Sequence, residues 1–285
     1  MAPHNRGACF LWYRFFVHEY KDKNRMSKKG ITGSTLKIIA VITMIIDHIG
    51  ASVLELTLRD RGLLGFVARG LGGIRSLEGV NRVLVISWWV MRMIIGRVAF
   101  PIFCYLLVEG FLYTKSVRKY AGRLFLFAVI SEVPFDLGIF QTAWYPQYQN
   151  VFFTLLTGLL CMQGFAWLDK KRNERTVFLI YVGKAAVLLA GMAAAWFFKT
   201  DYGAGGVIFI LCLYIFRTNK ALQLGIGCVV SMVVDEVMAP LAFLPVLFYR
   251  GERGLKLKYF FYAIYPIHLF LLYWICVILG LVKTS

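Results

Sequence analysis

The sequence LKIIAVITMIIDHIGASVL, residues 36–54, is apolar over a length that can cross a lipid bilayer. A helix that crosses the hydrocarbon core needs about 20 mostly apolar residues. Asp47 and His48 lie next to each other near the middle of this stretch. An ionisable side chain at that depth costs about 2.5–3.5 kcal/mol on insertion scales, so such residues usually serve a function. The stretch therefore predicts a transmembrane helix with a functional polar pair at its centre.

The whole chain has the composition of a membrane protein. Of its 285 residues, 59% are hydrophobic, and the mean hydropathy is +0.68. Soluble domains are only about 45–50% apolar. We therefore expect an all-α, polytopic bundle of transmembrane helices that forms a single domain over residues 36–285. A basic cytoplasmic segment, 1–35, precedes it, and Met26 resembles a natural start, which would make 1–25 an upstream extension.

Length and hydropathy predict about nine spans, within a range of about 8–10. The stretches 203–216 and 238–248 are too short for a straight crossing, so we expect half-helices or helices buried behind others. Residues 58–93 are expected to form a surface helix, a re-entrant helix or one more crossing. The spans are predicted near 36–57, 94–113, 121–140, 150–168, 176–198, 203–216, 221–237, 238–248 and 259–280.

Lysine and arginine are concentrated between the apolar stretches, and the net charge is +17. No basic stripe with interleaved aromatic residues lies outside the spans, so nucleic acid is not an expected partner. Basic loops alternate with nearly neutral ones, which predicts that the basic loops and the N-terminus face the cytoplasm. Five arginines fit this scheme poorly because their loop falls on the outer side: Arg59, Arg61, Arg69, Arg75 and Arg82.

Other polar residues also fall within or at the ends of the predicted spans. Arg97 is expected to pair with Glu132 or Asp136, and Glu109 lies near the inner end of its span. His268 has either a functional role or a packing role. Together, seven residues could line one wet cavity that opens towards the outer leaflet: Asp47, Arg97, Glu132, Asp136, Asn150, Asp235 and His268.

A histidine beside a carboxylate suits general-base catalysis. A histidine with a pKa near neutrality takes a proton from a hydroxyl or amine, and an oriented carboxylate stabilises the resulting imidazolium. We therefore expect His48 to be the base and Asp47 its partner. The sequence has no G-x-S-x-G, Walker A or H-E-x-x-H motif, which argues against a serine nucleophile, nucleotide hydrolysis and a metal site.

Several segments, in order, resemble the TraX family of integral membrane proteins, from about Leu36 to Leu279. They are Ile46-Asp47-His48-Ile49-Gly50, Gly96-Arg97-Val98-Ala99-Phe100-Pro101-Ile102-Phe103, Val108-Glu109-Gly110-Phe111, Ser131-Glu132-Val133-Pro134-Phe135-Asp136, Gln149-Asn150-Val151-Phe152-Phe153-Thr154, Asp201-Tyr202-Gly203 and Phe261-Tyr262-Ala263-Ile264-Tyr265-Pro266-Ile267-His268.

This resemblance implies an activity. The family's named member is associated with acetylation of the N-terminus of conjugative pilin. The family is also similar to transmembrane acyltransferases that use cytoplasmic acyl-CoA, such as the acyltransferase type 3 proteins and the lysosomal heparan glucosaminide acetyltransferase. The resemblance therefore implies a bacterial inner-membrane enzyme with acetyl-CoA as donor and a protein, glycan or lipid as acceptor. It also implies that His48 is the central residue. Four basic residues are available for the CoA phosphates, although the positive-inside rule also explains them: Arg118, Lys119, Arg123 and Arg172.

Two other functions stay open. In a proton-coupled transporter, Asp47, Glu132, Asp136 and His268 would form a proton relay. No inverted repeat relates the two halves of the sequence, which weakens this hypothesis. The third hypothesis is a membrane assembly factor without catalytic activity. The oligomeric state is left open.

Overall fold

The structure is a computed structural model that describes residues 30–255 and 258–282. These residues form helices and turns, with two isolated bridges and no strand among them. The predicted all-α polytopic bundle is confirmed. The predicted extension 1–25, and nearly all of the predicted basic segment 1–35, lie outside the described residues.

The helices are numbered here in chain order. A π turn at Gly50–Leu54 interrupts the first helix, and a π turn at Val90–Ile95 followed by a 3-10 turn at Gly96–Val98 interrupts the fourth. Their bounds are α1 Gly33–Asp60, α2 Leu64–Ala68, α3 Leu71–Arg75, α4 Gly79–Tyr113, α5 Val117–Phe135, α6 Val151–Asp169, α7 Val177–Phe197, α8 Gly203–Ile215, α9 Lys220–Val234, α10 Phe243–Leu247 and α11 Lys258–Ile278.

By length and composition, α1, α4, α6, α7 and α11 can each cross a membrane, so the chain is a multi-pass membrane protein. The shorter α8 lies between α6, α7 and α9, and its Phe209 and Ile210 are fully buried. A helix enclosed by other helices does not need to match the bilayer thickness with lipid-facing residues. Of the two alternatives expected for the short stretch 203–216, a half-helix or a helix buried behind others, the structure has the second.

The predicted span at 238–248 is not a continuous helix. It forms a 3-10 turn, Ala239–Ala242, followed by the five-residue α10. Pro240 and Pro245 each remove a backbone N–H donor, which prevents one regular helix from running through the segment. Ala242, Phe243 and Val246 are buried in the main apolar core, so the segment returns along the inside of the bundle.

Residues 58–93 do not form a separate crossing, because 58–60 end α1, 61–78 fold into turns and the short helices α2 and α3, and 79–93 are the beginning of α4. Helix α4 has 35 residues and begins at Gly79, so the second span starts well before the predicted residue 94. At about 1.5 Å per residue α4 is about 52 Å long, which exceeds the hydrocarbon thickness of about 30 Å. The segment 55–89, which we name the cap, has its own small apolar core: Leu58, Leu63, Val67, Leu77, Val85 and Trp88.

The first turn of α1 is tied to the segment that precedes α11. Ile31 N–H donates to Phe248 O at 2.9 Å, and Gly33 N–H donates to Glu252 O at 2.7 Å. The α4–α5 turn and this segment both line the same cavity as Gly33 and Lys37. We name this end of the bundle, with residues 30–37, 114–119 and 249–255, the basic end. The opposite end, where α6 and α8 begin, is the far end.

Candidate active site

Two histidines from opposite ends of the chain meet inside the bundle. His48 Nδ1 lies 2.7 Å from His268 Nε2. The two ring planes are within 5° of parallel, with ring centroids 5.0 Å apart. His48 lies two residues before the π turn of α1, and His268 lies two residues after Pro266 of α11. Both residues therefore come from positions where a helix departs from regular hydrogen bonding, and such positions are often functional.

A tyrosine contacts both histidines. The Tyr265 ring packs edge-on against His48 and His268, with centroids 5.9 and 5.7 Å away. Tyr265 also packs against Phe152, with centroids 5.0 Å apart. Both aromatic residues line a cavity, so Tyr265 forms a wall between that cavity and the histidine pair.

The cavity has a volume of about 680 Å³, within the range of small-molecule sites. Its mouth is at the basic end, where Lys115 and Arg253 line it, and it extends to Val151 in the first turn of α6. Most of the inner lining is apolar. The other charged and polar lining residues include Lys37, Lys119, Arg123, Glu109 and Tyr249. The apolar and aromatic ones include Met44, Phe103, Leu106, Leu124, Leu155 and Tyr262.

The four basic residues considered for the CoA phosphates divide into two groups. Lys119 and Arg123 line the cavity. Arg118 is exposed beside them without lining it, and Arg172 lies over the Tyr181 ring at 6.0 Å. Lys115 and Arg253 also line the cavity, although the sequence alone did not single them out for this role. Only the packing of α1, α5 and the 249–255 segment brings these residues to one mouth.

Asp47 does not orient His48, contrary to the prediction. Its Oδ2 accepts a hydrogen bond and ion pair from Arg92 Nη1 at 2.6 Å. Neighbouring residues on a helix point about 100° apart, so Asp47 faces α4 while His48 faces α11. Arg92 was missed because residues 58–93 were not recognised as the beginning of the second span.

Glycines allow α1 and α4 to approach each other around this ion pair. A Cβ atom at Gly96 would lie 2.1 Å from Asp47 Oδ1, and one at Gly50 would lie 3.0 Å from Arg92 Cδ. Any side chain at Gly96 would therefore overlap the carboxylate. The pair is enclosed by backbone on both sides.

The sequence suggested that Arg97 pairs with Glu132 or Asp136, but the structure shows different partners. Arg97 Nη1 lies 3.4 Å from Asp235 Oδ1, and its Nη2 lies 3.6 Å from Glu236 Oε1. Because α4 crosses next to the turn after α9, Arg97 ties these two elements together at the far end.

Glu132, Asn150 and Asp136 organise the α5–α6 connection. Asn150 N–H donates to Glu132 Oε1 at 2.9 Å, and the Asn150 side chain donates to Ala128 O at 2.8 Å while it caps α6. Asp136 Oδ2 accepts from Tyr145 N–H at 2.7 Å. The seven residues predicted to line one wet cavity are thus held in separate sets of contacts. Glu109, buried near the mouth, is hydrogen-bonded to Tyr249.

Asp201 joins Asp235 among the carboxylates that lie in turns at the far end. Asp201 accepts a hydrogen bond from the Tyr148 hydroxyl at 2.7 Å. Burial, which disfavours a charged carboxylate, raises the pKa of Asp201 to about 6 and that of Asp235 to about 7. Within the described residues, no three His, Cys, Asp or Glu side chains are arranged to hold a metal ion.

Comparison with known proteins gives one curated relative and one family. The chain is 28% identical over 266 residues to the "Probable fimbrial assembly protein FimC, serogroup H1" of Dichelobacter nodosus, which covers 83% of this chain and 92% of that protein. No solved structure matches the chain. The sequence model of the TraX protein family matches residues 32–276, nearly the whole described bundle. The chain therefore belongs to the TraX family.

Proposed function

We propose that this protein is a membrane-embedded acyltransferase that moves an acetyl group from acetyl-CoA to an acceptor, with His48 as the general base. The observation that carries this proposal is the course of the cavity. It begins among basic side chains and ends at Tyr265, which contacts both histidines. A donor with an anionic head and a narrow reactive arm would match both parts of the cavity.

The mouth would hold the phosphates of CoA. Lys119 and Arg123 lie on consecutive turns of α5, and Lys115 and Arg253 face the same opening. Charged donors of this kind bind phosphate oxygens through strong, short hydrogen bonds. The apolar inner lining, with Met44, Leu124 and Phe152, would take the pantetheine arm and exclude water. Acyl-CoA would enter from the cytoplasm in the predicted orientation.

The reaction would be a direct transfer. Neither histidine lines the cavity itself, so the acceptor would approach His48 Nε2 from outside the cavity while the thioester lies beside Tyr265. As the acceptor nitrogen or oxygen attacks the thioester carbonyl carbon, its proton passes to His48 Nε2. The new bond to carbon forms, the carbon–sulfur bond breaks, and the CoA thiolate takes the proton from His48. Base catalysis of this kind contributes typically about 10²–10⁴-fold to a rate.

The acceptor class is supported by the relative, whose name describes fimbrial assembly. A fimbrial or pilin subunit, acetylated at its N-terminal amine, would connect acetyl transfer with that name. The same name also favours a second candidate function, a membrane assembly factor that binds the subunit without chemistry.

Binding and chemistry can be tested separately with the purified protein. We expect saturable acetyl-CoA binding, and slow acetyl-CoA hydrolysis or transfer to an amine that falls about 10²-fold or more in His48→Ala without loss of binding. Absence of binding at millimolar acetyl-CoA would overturn the acyltransferase proposal. Normal fimbrial assembly in cells that carry His48→Ala would favour the assembly factor.

The mouth offers a matched pair of variants. Lys119→Gln combined with Arg123→Gln should weaken CoA binding at least tenfold, because both residues line the cavity. Arg118→Gln combined with Arg172→Gln removes the same two charges from exposed positions that do not line the cavity, and should leave binding unchanged. Equal losses for both changes would mean that only the overall basic charge matters, and the proposed phosphate site would be wrong.

A further inference from the structure

The contacts of His268 determine which of its nitrogens carries a proton. His268 Nδ1 lies 2.7 Å from the carbonyl oxygen of Ile264, one helical turn earlier. A carbonyl oxygen only accepts hydrogen bonds, so Nδ1 is the donor and carries the proton. In a neutral imidazole the other nitrogen is then an acceptor. His268 therefore presents an unprotonated Nε2 to its neighbour.

This arrangement in turn fixes the proton on His48. His48 Nδ1 lies 2.7 Å from His268 Nε2, and two unprotonated nitrogens at that distance would repel each other. His48 Nδ1 therefore donates to His268, which leaves the proton off His48 Nε2. Among the described residues no hydrogen bond is made by His48 Nε2, so its lone pair can accept a proton.

We infer that His268 is a positioning residue that holds His48 in the Nδ1–H form and so makes Nε2 the reactive base. The catalytic meaning of this inference rests on the proposed function, but the proton arrangement does not. The role usually filled by a carboxylate that accepts from the Nδ1–H of a base is filled here by a neutral imidazole. The nearby carboxylate of Asp47 is bound to Arg92.

The packing around His268 supports a fixed ring. His268 is only 6% exposed, Tyr265 packs edge-on against it, and Ile264 anchors it from the preceding turn. When His48 takes up a proton on Nε2, its Nδ1–H bond to His268 is retained. No group has to rotate between the two protonation states, so the site is preorganised for proton transfer.

Two substitutions of similar size separate positioning from packing. In His268→Gln, the amide can reach the place of Nε2 and its oxygen can accept from His48 Nδ1–H. In His268→Asn, the shorter amide reaches only the place of Nδ1, so it can keep the bond to Ile264 O but loses the acceptor. We expect His268→Gln to keep transfer within about tenfold of the wild type, and His268→Asn to lose about 10²-fold or more, in line with the contribution of an oriented base.

The proton arrangement can be measured without substrate by nitrogen-15 NMR of histidine-labelled protein in detergent or nanodiscs. The chain has four histidines, and loss of one signal pair in His48→Gln assigns His48. We expect the Nδ1–H form for His48 in the wild type and in His268→Gln, and a shift towards the Nε2–H form in His268→Asn. An Nε2–H form in the wild type, or identical spectra for the Gln and Asn variants, would overturn the inference.

These readouts distinguish this inference from the proposed function. If the Nδ1–H form of His48 depends on the residue at 268 but the protein does not bind acetyl-CoA, the positioning role of His268 stands and the acyltransferase proposal fails. Thermal unfolding of both variants verifies that each is folded. If the loss of activity in His268→Asn is fully explained by a smaller folded fraction, His268 contributes packing and does not position His48.

Discussion

The carboxylate of Asp47 is bound to Arg92 at 2.6 Å, while the next residue along the chain, His48, is bound to His268. Two adjacent side chains thus join three helices, because Asp47 contacts α4 and His48 contacts α11. The first contact is an ion pair that fixes the level at which the π turns of α1 and α4 lie side by side. The second contact holds the proposed base.

The first prediction concerns this ion pair. Removing one partner, in Asp47→Asn or Arg92→Gln, leaves the other charge largely buried and should destabilise the protein by roughly 3 kcal/mol, the lower end of the range for buried pairs. The double variant should recover part of that loss, since no charge then stays unpaired. Thermal unfolding in detergent measures all three. Additive losses in the double variant would show that the two side chains do not interact.

The composition and the apolar lengths of the sequence were sufficient to predict the helical bundle. They limited the short stretch 203–216 to a half-helix or a helix buried behind others, and the structure has the second. The cap was not predicted, because the arginines between 59 and 82 obscured the helical continuity from Gly79 into the next span. The sequence left 238–248 as a half-helix or a helix buried behind others. Pro240 and Pro245 divide it into a 3-10 turn and the five-residue α10, both packed in the main apolar core.

The candidate site was predicted in part. His48 and His268 were both singled out because ionisable residues at mid-depth are expensive. Their contact spans 220 positions of sequence, and no local pattern encodes such a pairing. The pairing of Asp47 with Arg92, and of Arg97 with Asp235, depends on helix rotation and depth, which span boundaries alone do not determine.

The second prediction tests the close approach of α1 and α4. Gly96→Ala would place a Cβ atom 2.1 Å from Asp47 Oδ1, so the two helices must separate or the ion pair must break. We expect a loss of about 1–3 kcal/mol, as for other overpacked sites. Gly122→Ala is the matched control, since a Cβ there meets nothing within 4 Å. An equal response of both variants in thermal unfolding would contradict the close contact.

The third prediction concerns pH. The pKa of Asp201 is raised to about 6 in the folded protein, whereas an unfolded aspartate has a pKa near 3.9. Between about pH 4 and pH 6 the folded state therefore binds more protons than the unfolded state, and its stability falls as pH rises through that window. In Asp201→Asn this part of the decline should disappear, while Asn can still accept from Tyr148. Melting temperatures across the window, compared with those of the wild type, measure the change, and parallel curves would count against it.

The last prediction concerns the wall between the cavity and the histidine pair. Tyr265 is 3% exposed and packs against His48, His268 and Phe152. If acetyl-CoA reacts where the proposal places it, Tyr265 limits the length of the acyl group. Tyr265→Ala should then raise the rate with butyryl-CoA, relative to the rate with acetyl-CoA, about tenfold. This is the effect of one or two methylene groups in an apolar pocket. Tyr265→Phe keeps the ring and should keep the wild-type preference. The ratio of kcat/KM for the two donors is the measurement, because a general loss of folding lowers both rates and leaves their ratio unchanged. An unchanged ratio in Tyr265→Ala would place the acyl group elsewhere in the cavity.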